Sequence, residues 1–403
     1  MQILYNFGLI DVIKKEYVDN SYMIVDGENI IEIGNQEVLS EEQKRKGIDF
    51  QGKTVMPGMF NLHIHALSTP IANPASLNWE DPSKIGIRGL VHLQQHLKSG
   101  VTFVRDMNGR KQAEIGLRDA IREKIVVGPD YYVAGQCLTM TGGHGSNTGR
   151  ECDGPIECKK AAREQLKRGV DFIKLMATGG VMSPGMNEDE TQLDEEEMAA
   201  AIREAHKVGK KTAVHAHGAS GIKNAVKAGI DSVEHGSYLD DECIELMLER
   251  NTAFVPTLAV DYYLFKYGIK RGVASYAIEK AKRAHEAQVK GFLKAWNAGV
   301  LIGVGTDAGT PFNPHYGTYM ELVSMVELGI NTMDALVAAT INSAKIAGVD
   351  SWCGSLNVKK RANFLVLDNN PIDDIWALKN IDQVYKDGKL ISLPEVEYLP
   401  HLD

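Results

Sequence analysis

The chain has 403 residues, of which 44% are hydrophobic and 24% are charged, as in an ordinary globular protein. Its net charge of −9 and the absence of a basic stripe argue against nucleic acid and anionic membrane surfaces as partners. No apolar run reaches the roughly 18 residues of a membrane span, and the charged N-terminal stretch is unlike a signal peptide. Five cysteines without a CxxC pair indicate reduced thiols, so we expect a cytoplasmic protein.

Both chain ends have the pattern of short strands joined by tight turns. Residues 1–57 contain SYMIVDGENIIEIG, a hairpin with Asp26-Gly27 at its turn, and residues 353–403 contain a similar hairpin around Asp387-Gly388. We therefore predict one small β-sandwich domain formed by the two ends, with residues 58–352 as a separate catalytic domain between them.

The central part alternates strand and helix patterns, which is typical of βα units and a parallel sheet. A capping box, Asp194 with Glu197, marks the start of one of the helices. Eight segments have strand character: MFNLHIHA, VTFVRDM, YYVAGQCL, VDFIKLM, TAVHAH, DSVEHG, TAFVPTLA and LIGVGTDAG. Eight units predict an α/β fold in which a (β/α)8 TIM barrel carries its reactive residues at the carboxyl ends of the strands.

Polar residues with metal-binding atoms are concentrated in these strands. They are His63, His65, Lys174, His215, His217, His235 and Asp307. Residues two apart on a strand face the same side, so each HxH pair converges. A single strand histidine is usually a hydrogen-bonded core residue, but this whole set predicts a metal site. Nitrogen and carboxylate donors without thiolate suit zinc, and also manganese or iron.

Lys174 lies in the apolar run DFIKLM, where an ammonium group is costly to bury. Burial lowers the pKa of such an amine and leaves a neutral, nucleophilic fraction near neutral pH. That amine can add carbon dioxide and become a carbamate that bridges two metals. A lysine reaching to the barrel end, or a Schiff-base lysine, is the alternative, but a Schiff base does not need four histidines nearby.

The motifs GMFNLHIHA, FIKLMATGGV, VHAHG, VEHGSYLD and GVGTDAG resemble those of the amidohydrolase superfamily. The resemblance covers nearly the whole chain and favours the imidazolonepropionase-related branch, with its prolidase-like dipeptidases and carboxypeptidases. It implies two divalent metals, most suitably zinc. One would be bound by His63, His65 and Asp307, and the other by His215 and His235, with carboxylated Lys174 as the bridge.

Two metals about 3.5–4 Å apart can hold a bridging hydroxide that attacks an amide carbonyl. Asp307 would then take a proton and deliver it to the departing amine. The glycine-rich loop LTMTGGHGSNTGR places His144 at the same face. The resemblance implies that His144 and Tyr238 bind a substrate carboxylate. His217 is expected either to contact the substrate or to lie next to the metal ligands without binding the metal itself.

The sequence therefore predicts an enzyme that hydrolyses a small molecule, a dipeptide or N-acyl amino acid with a free carboxylate. A cyclic-amide or aryl-amide hydrolase on the same site is the alternative. Deaminases and imidazolonepropionase itself are disfavoured because they use one metal and no lysine ligand. A catalytically inactive scaffold is a remote alternative, since every ligand is present. We also expect a homo-oligomer.

Overall fold

The computed structural model describes residues 1–183, 185–268 and 270–394. The strands are β1 (Gln2–Asp11), β2 (Glu16–Asp26), β3 (Asn29–Asn35), β4 (Ile48–Pro57), β5 (Met59–Ile64), β6 (Val101–Asp106), β7 (Asp130–Val133), β8 (Leu138–Thr139), β9 (Arg150–Glu151), β10 (Phe172–Met176), β11 (Lys211–Ala216), β12 (Ser232–His235), β13 (Ala253–Val255), β14 (Phe364–Leu367), β15 (Gln383–Lys386) and β16 (Lys389–Leu390).

The α-helices are α1 (Glu41–Lys46), α2 (Pro82–Lys98), α3 (Ala113–Arg122), α4 (Gly154–Lys167), α5 (Glu195–His206), α6 (Ala219–Ala228), α7 (Asp241–Arg250), α8 (Ala259–Tyr263), α9 (Ser275–Ala298), α10 (Tyr319–Glu327), α11 (Thr332–Val337) and α12 (Ser343–Ala347). Short 3₁₀ helices span Gln36–Val38, Pro74–Leu77 and Ile375–Lys379, and π-helical turns span Leu264–Gly268 and Ala338–Asn342. No helix in the described ranges is long and apolar enough to cross a membrane.

The two chain ends share one seven-stranded sheet in the order β16-β15-β14-β4-β1-β2-β3. Both predicted hairpins are confirmed: β2 pairs with β3 across Asp26-Gly27, and β15 pairs with β16 across Asp387-Gly388. The ring of Phe364 stacks on Tyr385 with centroids 4.4 Å apart in the core of this sheet. The predicted β-sandwich is not confirmed, because the strands of both ends lie in one sheet; the domain boundaries stay a prediction.

The central strands are parallel and form two sheets, β5-β6-β7 and β13-β12-β11-β10-β8-β9. Seven of the eight predicted segments contain a strand, which gives a TIM-barrel-like α/β fold. The eighth, residues 301–309, forms isolated bridges to the described strands in place of a ladder, Ile302 with Phe254 and Ala308 with Ile64. Asp307 has a φ of 57°, outside the extended region, so a regular strand cannot run through it. A continuous ladder that closes the barrel is therefore not seen in the described part of the chain.

Local sequence explains how helix α5 begins. The side chain of Asp194 accepts from the backbone N–H of Glu197, and the Glu197 side chain accepts from the N–H of Asp194. Both bonds satisfy donors that the first helical turn leaves free, as the capping box predicts. The helix packs buried residues such as Met198 and Ile202 against the central sheet and so supports strand β10, which carries Lys174.

Candidate metal centre and active site

A cavity of about 330 Å³ lies where the parallel strands end. Parallel strands that point the same way bring the residues at their carboxyl ends to one face. Eight of the nine residues predicted to act at the site line the cavity: His63, His65, His144, Lys174, His215, His217, His235 and Asp307. The ninth, Tyr238, is not part of its wall. The cavity therefore brings together residues from strands far apart in the sequence.

One cluster of donor atoms consists of His63, His65 and Asp307. A carboxylate oxygen of Asp307 lies 3.3 Å from Nε2 of His63 and 3.0 Å from Nε2 of His65. Burial raises the pKa of Asp307, but the bonds from the two imidazoles outweigh it and hold that pKa well below its usual range. Two nitrogens and an ionised oxygen that converge in this way could hold a divalent cation.

A second cluster consists of His215, His217 and His235. The ring of His217 stacks on that of His235 with centroids 4.9 Å apart, and His215 lies 4.7 Å from each. Nδ1 of His217 lies 2.7 Å from the hydroxyl of Ser237, and Nδ1 of His235 lies 2.8 Å from that of Thr257. These bonds leave Nε2 of both rings for a ligand, so the geometry groups His217 with the candidate metal ligands.

The side chain of Lys174 lines the same cavity as both clusters and is buried, with 1% of its surface exposed. Its Nζ has no hydrogen-bond partner among the described residues. Burial lowers the pKa of Lys174 to about 8, since the nearby carboxylate of Glu234 only partly offsets the lost hydration. An unpaired buried amine is costly unless another group binds it, so this atom fits a modified or metal-bound state.

Glu234 and Arg105 contact the candidate site, but neither is among the residues predicted from the sequence. One carboxylate oxygen of Glu234 lies 3.0 Å from Nδ1 of His63, and the other accepts from Arg105 at 2.7 Å. Burial raises the pKa of Glu234, but the charge of Arg105, the hydrogen bond and charge of His63 and the charge of Lys174 together outweigh burial and lower it to about 2. The signal was available: each is a charged residue inside an apolar strand, as Lys174 is.

His144 and Tyr238 differ in where the structure places them. His144 lines the cavity, stacks on His215 with centroids 4.2 Å apart, and bonds through Nδ1 to Ser183 at 2.8 Å. The hydroxyl of Tyr238 instead donates to Glu188 at 2.9 Å. His144 can therefore contact a molecule bound in the cavity. The hydroxyl of Tyr238 is instead hydrogen-bonded to Glu188, which lies outside the cavity wall.

A comparison with protein families matches residues 54–391 to the amidohydrolase family. The chain belongs to the amidohydrolase family. It is accordingly a hydrolase that acts on C–N bonds of small molecules, and the resemblance in its motifs is confirmed. Family membership also agrees with the two clusters of donor atoms, since members of this family are metal-dependent.

Relatives and solved structures of other proteins match nearly the whole length of this amidohydrolase. A crystal structure of a Xaa-Pro dipeptidase with bound methionine in the active site superposes with a TM-score of 0.90 at 33% identity, covering 97% of this chain and 99% of that one. Ochratoxinase of Aspergillus niger is 30% identical, covering 94% of this chain and 85% of the relative. Imidazolonepropionase of Fusobacterium nucleatum is a distant relative, at 21% identity over 96% of this chain and 98% of the relative.

Proposed function

We propose that this amidohydrolase is a binuclear metal enzyme that hydrolyses the amide bond of a dipeptide or N-acyl amino acid with a free carboxylate. One observation carries the proposal. Two separate three-residue clusters of donor atoms share a cavity wall with a buried amine that has no partner in the described residues. One metal needs only one such cluster, so the second cluster and the amine favour a pair of metals.

The first ion would be held by His63, His65 and Asp307. The second would be held by His215 and His235, with His217 close enough to be a further ligand or to contact the substrate. Imidazole nitrogens and carboxylate oxygens favour zinc over calcium or magnesium, which prefer oxygen alone. The bound pair would supply an activated water and a Lewis acid for the substrate carbonyl.

Lys174 would link the two ions as a carbamate. Its neutral amine forms a bond from nitrogen to the carbon of carbon dioxide and releases a proton, which leaves an anionic group with two oxygens. The lowered pKa of Lys174, about 8, makes the neutral amine available near neutral pH. Nζ has no hydrogen-bond partner in the described part of the chain, which supports this step because a carbamate would receive its partners from the metals.

Asp307 would handle the proton of the reaction. Its pKa lies well below its usual range because His63 and His65 lie 3.3 Å and 3.0 Å from one of its oxygens, so the carboxylate is ionised and can accept a proton. It then delivers this proton to the departing amine, which is the usual task of a general acid–base residue. His144, in the cavity wall, would orient the substrate.

The substrate class is supported by the relatives that are at least 28% identical. Both the Xaa-Pro dipeptidase and the ochratoxinase hydrolyse amides, and the crystal structure of the latter superposes with a TM-score of 0.85. An aryl-amide or cyclic-amide substrate on the same site is the second candidate, favoured by the apolar part of the wall around Met176, Val181 and Leu264.

We further propose that the two parallel sheets form one closed (β/α)8 barrel. Single backbone hydrogen bonds along residues 301–308 support this, since Phe254 donates to Leu301 and Leu62 donates to Val304 across the gap between the sheets. A homo-oligomer and a cytoplasmic location stay predictions.

The test is reconstitution of metal-stripped protein with zinc, manganese or iron, followed by metal counting and a substrate screen. We expect two ions per chain and turnover of Xaa-Pro dipeptides or N-acetyl amino acids. The screen includes C-terminal amides, cyclic amides and aryl amides. One ion per chain would contradict the binuclear site, and turnover confined to cyclic or aryl amides would replace the proposed substrate.

A further inference from the structure

Arg110 is a cation in the cavity wall that the proposed chemistry leaves without a role. It lies in the loop after β6, and its guanidinium faces the same cavity as the candidate metal ligands. Its Nη1 atom is buried and has no hydrogen-bond partner among the described residues. Nη2 makes one long contact, 3.3 Å, with the neutral hydroxyl of Ser68. Buried charged groups normally have a partner, so this one fits a site for an incoming anion.

The guanidinium of Arg110 also has no carboxylate partner among the residues that the structure describes. Within the described ranges no acidic side chain lies within ion-pair distance of Arg110, whereas neighbouring Arg88 pairs with Glu80. Burial lowers the pKa of Arg110, the charge of Asp106 acts against this, and Arg88 adds to it. Asp106 therefore acts on Arg110 only from beyond ion-pair distance, and the guanidinium has no direct ionic partner in the described part of the chain.

The backbone that carries Arg110 is held in place. The amide of Asn108 donates to Thr148 at 2.7 Å, and its oxygen accepts from the N–H of Cys137. At Gly109, a side chain would collide with Glu114, whose carboxyl group fills that space. An anchored loop loses little conformational entropy when a ligand binds, so Arg110 is well placed to bind one.

The other charged side chains of the wall already have assignments. Lys174 and Asp307 belong to the proposed metal centre, and Asp261 is an acid that bonds to His285 at 3.0 Å. A substrate carboxylate therefore has one guanidinium to meet in the described wall. Arginine matches a carboxylate with two parallel N–H bonds, a geometry that a single lysine or histidine does not offer.

We propose that Arg110 binds the free carboxylate of the substrate and thereby selects the acid over the corresponding neutral amide. This inference rests on the proposed hydrolysis of a carboxylate-bearing amide. It assigns the recognition of charge to the loop after β6. The hydroxyl of Tyr238 donates to Glu188, and its predicted contact with the substrate carboxylate stays a prediction.

The test compares acid with amide in the metal-loaded parent, Arg110→Met and Arg150→Met. Arg150 is a matched control, because it pairs with Glu164 and lies outside the described cavity wall. Binding of L-methionine and L-methioninamide is measured by calorimetry, which needs no turnover. In parallel, kcat/KM is measured for the best substrate of the screen and for its C-terminal amide.

We expect Arg110→Met to weaken L-methionine binding and to lower kcat/KM for the acid about ten- to a hundredfold, the usual effect of losing a charged hydrogen bond. L-Methioninamide binding and kcat/KM for the amide should change little, and Arg150→Met should behave as the parent. Arg110→Gln, which keeps a polar side chain, should show the same loss if Arg110→Met does not fold.

Two failures can be told apart. If the parent prefers the acid and both Arg110 variants keep that preference in full, the assignment of Arg110 is overturned while the proposed function stands. If the parent hydrolyses neither acid nor amide, the proposed function fails, and selective loss of L-methionine binding in Arg110→Met still supports the anion site. A parent that prefers the acid in neither binding nor turnover overturns the inference.

Discussion

Nδ1 of His63 lies 3.0 Å from a carboxylate oxygen of Glu234, which orients the ring so that Nε2 faces the cavity. A histidine that donates one ring N–H to a carboxylate is fixed in tautomer and becomes a better metal ligand through its other nitrogen. The second oxygen of Glu234 accepts from buried Arg105. This chain of contacts links buried Arg105 through Glu234 to His63, a candidate metal ligand in the cavity wall.

Glu234→Gln should lower metal affinity about 10–100-fold, because the ring of His63 loses its charged partner. Stability should fall as well, since Arg105 would keep a buried charge without its counter-ion. Competition with a metal chelator measures the affinity. Glu114→Gln is the control, a buried carboxyl outside the described cavity wall that should leave metal affinity unchanged. Equal affinities in parent and Glu234→Gln would show that His63 does not need this partner.

Lys174→Ala should lose activity and lower metal affinity by at least about 10–100-fold, because the proposed bridging ligand disappears. Acetate or propionate in solution should restore part of both, since a free carboxylate can occupy the space of the carbamate. Lys211→Ala, at an exposed lysine on β11 that pairs with Asp231, serves as control and should keep both. Full activity with normal metal content in Lys174→Ala would remove the carbamate from the mechanism.

Asp307→Asn keeps the size of the side chain but removes the proton acceptor. Turnover should fall by roughly 10²–10⁴, as expected when an acid–base residue is lost. The measurement is kcat at saturating substrate with metal content determined on the same sample. Unchanged kcat would mean that another group carries the proton.

His144→Ala should lower kcat/KM for the acid substrate about tenfold, because a cavity-facing hydrogen-bond donor is lost. Tyr238→Phe tests the contact predicted from sequence, and we expect a smaller effect because that hydroxyl is bonded to Glu188. Both variants are assayed on an acid and its C-terminal amide. A selective loss of the acid in Tyr238→Phe would show that Tyr238 leaves Glu188 and turns to the substrate.

Glu321 should make the stability of the protein depend on pH. Burial raises its pKa to about 8 in the folded chain, although the backbone N–H groups of Ala259 and Leu258 bond to the carboxyl group and act against this. The unfolded chain releases the proton near its ordinary value of 4.5, so the folded state holds one more proton between these values. The free energy of unfolding should therefore fall as pH rises through this window, by up to about 1.4 kcal/mol per pH unit.

Urea unfolding of metal-free parent and Glu321→Gln at pH 5 and pH 8 measures this effect. The variant should lose the part of the pH dependence that Glu321 causes. Glu204→Gln is the control: hydrogen bonds from Arg163 and Lys207 lower the pKa of Glu204 to about 2, so its contribution disappears only below pH 4.5. Parallel curves for parent and Glu321→Gln would show that this carboxyl is ionised in the folded chain.

Local patterns determined much of the site from the sequence alone. The two-residue period of a strand made His63 and His65 face the same side, and the apolar run around Lys174 showed that its amine is buried. The capping box at Asp194 and both hairpin turns depend on residues close in sequence, so they too were predicted correctly. Because the central strands are parallel, the residues at their carboxyl ends lie at one face of the domain.

Contacts between distant segments were decided by the tertiary structure. Glu234 meets His63 across 171 residues, and the loop that carries Arg110 is held by Thr148, so no local period reveals either relationship. The partner of Tyr238 is likewise set by a separate loop. The two chain ends have hairpin signals that cannot distinguish one sheet from two, because sheet order depends on which strand edges meet after the chain has folded.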